Sequence, residues 1–92
     1  MTPPHVDPAD ITTRTDPYGT PYAEFPPVII TTLGRSIHAH RIYWDGSYFH
    51  AQGVYGKTNG QPSRQAANTP VGSAEIPATV LAALRDIIPA PR

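Results

Sequence analysis

The chain has 92 residues, seven basic against seven acidic side chains, twelve prolines and no cysteine. A domain this small buries only about 60–65% of the surface its unfolded chain exposes, and the lack of cysteine excludes a disulfide framework, a cysteine-ligated zinc and a thiol nucleophile. Zero net charge gives no overall pull toward nucleic acid or a membrane surface. The N-terminus lacks a basic-then-apolar leader and no run approaches the roughly 18 apolar residues of a membrane span. The expectation is a soluble chain, intracellular or part of an assembled particle and not secreted through a signal peptide.

Residues 1–27 hold seven of the prolines and four acids against one arginine, a net −3, whereas residues 28–72 carry four bases against Asp45, a net +3. Each proline removes a backbone donor and biases its predecessor toward extended structure. This composition predicts an extended Pro-rich arm over 1–27 and a small folded body over 28–92. The stretch DPYGTPYAEFPP places Tyr18, Tyr22 and Phe25 along the arm, as anchors for pockets on a neighbouring subunit.

In the body, Gly34-Arg35, Asp45-Gly46 and Asn59-Gly60 read as two-residue hairpin turns, the first of type II′ and the others of type I′. Between them lie runs rich in β-branched and aromatic residues at Val28–Leu33, Ser36–Trp44 and Ser47–Lys57, with a weaker one near Gln61–Ala67. The last segment, EIPATVLAALRDII, sets Ile76, Val80, Leu84 and Ile87 at helical spacing, with Pro77 in the first turn and Pro89 as a stop. The fold class is therefore α+β: a four-stranded antiparallel β-meander, then one C-terminal helix on a sheet face, preceded by the arm.

Two-residue turns fix register, and register fixes faces. The Asp45-Gly46 turn pairs Trp44 with Ser47 and Ile42 with Phe49. One face then carries Ile29, Leu33, His38, His40, Ile42, Trp44 and Phe49; it has the larger apolar volume and is expected under the helix. The other face presents Arg41, Tyr43, Tyr48, His50 and Gln52. His50 falls opposite to His38 and His40, so no shared metal site is expected, and no cofactor motif is present. His38, His40 and Lys57 are the only acid–base candidates, without a carboxylate pair, nucleophile elbow or Gly-rich phosphate loop to support them. A non-enzymatic chain is expected.

Both faces are substantially apolar, yet one helix covers one face, and an uncovered apolar face points to a partner. The sequence thus predicts a structural or protein-interaction module that binds a protein partner or forms a homo-oligomer through Arg41, Tyr43, Tyr48, His50 and Gln52, with the arm reaching a neighbour. Small subunits of larger assemblies, virions among them, follow such a plan by analogy. The alternative is a small nucleic-acid-binding or regulatory protein that uses the Arg41/Tyr43/Tyr48/His50 face.

Overall fold

The computed structural model describes residues 4–57, 59 and 61–88. Five antiparallel strands run in chain order across one sheet: β1 (Thr12–Thr15), β2 (Pro21–Thr32), β3 (Arg35–Trp44), β4 (Phe49–Gly56) and β5 (Pro62–Val71). Helix α1 (Ala78–Ile87) follows. The expected class, a small antiparallel sheet with one C-terminal helix, is the observed one; the sheet has five strands rather than four.

The extra strand comes from the segment expected as a free arm. β2 starts at Pro21 within that segment and extends past residue 27, and β1 folds back on it with Thr12 opposite Glu24 and Arg14 opposite Tyr22. Val6 and Phe25 are buried in the core of the same chain, and the Val6 carbonyl accepts a hydrogen bond from the Thr79 hydroxyl of α1. Proline is tolerated in a sheet where no ladder donor is needed, at a strand's first residue, in a turn or at a bulge. Pro21 opens β2, Pro17 lies in the β1–β2 turn, and Pro26 and Pro27 fall in the interruption between Glu24 and Val28. Pro8 begins a one-turn 3₁₀ helix, where its missing N–H is also harmless.

Two irregularities at one level of the sheet set the core. In β3, pairing with β4 shifts between Ala39 and Arg41, leaving His40 as the inserted residue. Beside it, β2 loses pairing with β3 between Glu24 and Val28. An inserted residue reverses which side chains face inward. Thus Ala23, Ile42 and Ala51 are buried on one side of the bulge, whereas Ile30, Ile37 and Ala39 are buried on the other. α1 closes this face with Val80 and Leu84, helped by Ile76 and by partly buried Leu81, Ile87 and Ile88. The helical spacing is as expected, while Pro89 lies outside the described residues.

The helix therefore covers neither of the faces drawn from uninterrupted alternation. Ile42 lies under it and Trp44 and Phe49 share its side, but Ile29 is 49% and Leu33 82% exposed. His38 pairs with Ile29 and Val54 on the opposite, outer face, the same face as His50. The bulge, invisible to simple alternation, is the cause.

The turns differ from expectation in detail. Thr32 pairs with Arg35, so the β2–β3 turn is Leu33-Gly34, not Gly34-Arg35. Both its residues have positive φ, 51° and 74°, the signature of a type I′ turn. Trp44 pairs with Phe49, so Asp45–Tyr48 form a four-residue loop. There the Asp45 carboxylate accepts the N–H groups of Ser47 and Tyr48, at 2.7 and 2.9 Å, and this capture of local donors displaces the two-residue turn. The slip is of two residues, so the Arg41/Tyr43/His50/Gln52 face is the one expected. In the expected Asn59-Gly60 turn, Gly60 lies outside the described residues; the Lys57 N–H bonds the Gln61 carbonyl around it.

Gly53 makes the β3 bulge sterically feasible, because a Cβ there would lie 2.0 Å from the His38 carbonyl oxygen and 2.8 Å from the Ala39 Cα. Gly53→Ala is expected to destabilise the fold by about 2–3 kcal/mol in urea unfolding. Conversely, Leu33→Asn, which relieves a bulky side chain in left-handed backbone, is expected to stabilise by about 1 kcal/mol in the same measurement.

Candidate functional site

On the face away from α1, two adjacent rows cross all five strands. The first runs Arg14, Tyr22, Tyr43, His50 and Pro70 in direct register, and the second Thr12, Glu24, Arg41, Gln52 and Asn68. Neighbouring strands lie about 4.7–4.9 Å apart, so aromatic rings at successive positions of a row stand against one another. Tyr22 and Tyr43 stack with centroids 4.7 Å apart and an interplanar angle of 27°, and Tyr43 and His50 at 5.4 Å and 27°. Tyr48, 50% exposed in the β3–β4 loop, tilts against His50 at 6.1 Å.

Polar contacts fix the ladder from its sides. The Arg41 guanidinium lies 5.4 Å from the Tyr22 ring centre, and its Nε donates to the Glu24 carboxylate at 2.6 Å. Its Nη1 reaches the Tyr43 hydroxyl at 3.4 Å. At the other end, His50 Nδ1 lies 2.6 Å from Asn68 Oδ1, so the imidazole N–H donates to the amide oxygen. The hydrogen bond and charge of Arg41 hold the Glu24 carboxyl below its usual pKa. The backbone N–H groups of Tyr48 and Ser47 hold that of Asp45 below its own. A concavity of about 260 Å³ lies over this row, reaching from Asp16 and Thr20 of the β1–β2 turn past Tyr43 and Asp45 to Asn68.

Of the residues expected to meet a partner, Arg41, Tyr43, Tyr48, His50 and Gln52 come together here, and Tyr22 joins them from β2. Tyr18 stands apart at the tip of the β1–β2 turn, 93% exposed. Phe25 is buried and cannot serve as an exposed anchor. Sequence reasoning does not reach Glu24 or Asn68: the first lies in the supposed arm, and the second beyond the expected end of the last strand. Their signal is cross-strand complementarity, an acid opposite Arg41 and an amide near His50, visible only once β1 and β5 are in register.

The other histidines lie elsewhere. His40 borders a hollow with Asp10, Glu24, Pro26 and Pro27, while Lys57 lines a different one. Among the described residues no three His, Asp or Glu side chains are grouped as a metal would require. No helix among them is long and apolar enough to cross a membrane. No family model, curated protein or solved structure matches this chain.

Both lowered carboxyl groups fix the sign of an acid response. A folded pKa below the unfolded one adds stability that is present at neutral pH and lost as the pH falls through the carboxylate range. The double variant Glu24→Gln/Asp45→Asn is therefore expected to show a flatter decline of urea stability on the acid side, with the difference shrinking at high salt because Glu24 is only half-buried and Asp45 is exposed. An acid limb identical to that of the parent protein would contradict this assignment.

Proposed function

We propose that this chain is a non-enzymatic protein-interaction module, a structural subunit that meets a protein partner through the outer face of its sheet. The observation that carries the reading is the ladder Tyr22–Tyr43–His50, with Tyr48 beside it, on the face that α1 leaves open. Aromatic side chains held rigid before binding lose little entropy on contact, and Tyr and Arg recur among the residues that dominate interface energetics. The leader is folded on its own sheet, so the outer face, not an arm, makes the contact in this reading.

The ladder geometry favours protein over nucleic acid. Single-stranded bases stack on open ring faces, but here the rings of Tyr22, Tyr43 and His50 turn their faces toward each other. Of the two arginines in these rows, Arg41 is already paired with Glu24. Ring edges, hydroxyls and amides remain outward, a surface suited to mixed apolar and hydrogen-bonding contact.

Sedimentation velocity tests this, run on the purified chain alone and after incubation with an extract of its source. The variant Tyr48→Ala/His50→Ala is expected to weaken the assembled species by about ten-fold or more while melting close to the parent protein. A parent chain that sediments as a bare monomer in both settings, or a variant that assembles equally well, would sink the reading. Tight binding of a labelled single strand with steep salt dependence would transfer the face to the nucleic-acid alternative.

A further inference from the structure

We propose that the notch between the β2–β3 turn and the end of β4, at the sheet end remote from the Asp45 loop, binds a phosphate-type oxyanion through Arg35, Ser36, Tyr55, Lys57 and Gln65. This site is separate from the outer-face ladder and does not depend on its role.

The notch arises from the strand pairing. The β3–β4 ladder ends at Ile37 opposite Tyr55. Continuing that register sets Ser36 beside Gly56 and Arg35 beside Lys57, and a Cβ at Gly56 would indeed lie 3.2 Å from the Ser36 Cβ. Beside these last facing positions a hollow of about 490 Å³ opens, lined also by Gly34 and by Gln65 of β5. That is room for a phosphate together with part of the molecule carrying it.

The chemistry of the lining is uniform. Every polar side chain around the hollow can donate a hydrogen bond, and no Asp or Glu lines it among the described residues. Arg35 is oriented by Tyr55 in two ways, with its Nη1 3.4 Å from the phenol oxygen and its guanidinium carbon 5.5 Å from the ring centre. A guanidinium held in one plane is pre-organised for the paired oxygens of an oxyanion. A phenol that accepts from Arg35 keeps its own proton to donate.

Electrostatics completes the argument. Like charges at facing positions of neighbouring strands destabilise a sheet, and here the continued register sets Arg35 and Lys57 on the same hollow with no carboxylate among its lining residues. The one ion pair among the described residues, Arg41 with Glu24, lies elsewhere on the sheet. Folding alone gains nothing from this juxtaposition. An anion between the two cations turns the repulsion into two charge-assisted hydrogen bonds.

The test is a calorimetric and thermal-melt titration of the full chain with inorganic phosphate and with phenyl phosphate. Acetate and chloride at matched ionic strength serve as controls. Both phosphates should raise the melting temperature and the controls should not; tighter binding of phenyl phosphate would assign an organic phosphate as the ligand, and the reverse a free one. Arg35→Gln and Lys57→Gln should each weaken phosphate binding by about ten-fold, and the double variant should lose it. In chloride alone, Lys57→Gln should melt at or above the parent temperature, because the repulsion is gone. Equal responses to phosphate and chloride, binding that survives in the double variant, or a Lys57→Gln protein less stable than the parent in chloride would each overturn the proposal.

Discussion

Everything in this small fold follows from one close approach, the β3 backbone pressed against Gly53 of β4. Because residue 53 has no Cβ, β3 can insert His40 without being pushed off its neighbour. The insertion reverses the inward and outward sense of β3 halfway along its length. β2 matches it at the same level with its own break at Phe25–Pro27. Two breaks side by side keep adjacent strands in phase, so the core stays continuous from Ala23 and Ile42 to Ile30 and Ile37 under a single helix.

The same phase change divides the outer face. On the Asp45 side of the bulge it presents Tyr22, Arg41, Tyr43, His50 and Gln52, aromatic and polar and held by lateral contacts. On the Gly34 side it presents Ile29, His38 and Val54, while the notch of Arg35 and Lys57 lies beyond the last β3–β4 pair, Ile37 with Tyr55. One sheet therefore carries two chemically distinct surfaces about a strand's length apart. Neither borrows residues from the other.

Much of this was legible in the sequence. The central hairpin's polar face survived a wrong turn assignment because the four-residue loop slips the register by two, and a slip of two preserves parity. The helix was legible from Ile76, Val80 and Leu84, because burial against a sheet imposes a 3.6-residue period that no other segment shares. The leader was not legible, because counting prolines says how many donors are missing but not whether the ladder needs them. Pro17, Pro21, Pro26 and Pro27 all fall where it does not. The bulge was hidden for a related reason. Its determinant, Gly53, is identified by what it touches across the sheet, and a glycine within a strand can equally mark a tight bend or a ligand's close approach. The anion notch depends on where pairing stops, and sequence alternation carries no mark of that point.

The hydrogen bond from Thr79 to the Val6 carbonyl joins residues 73 apart in the chain. The five strands, by contrast, each pair with the next in sequence and close by short hairpins. Loop-closure entropy grows only slowly with length, but it must be met before a distant contact returns anything. The strand pairings are thus local in sequence, whereas the contact of the leader with α1 spans nearly the whole chain. Val6, Val80 and Leu84 belong to one buried cluster, and the Thr79 hydroxyl ties the Val6 carbonyl to α1. Long-range contacts of this kind, unlike the local strand pairings, draw the two ends of the chain into one packed unit.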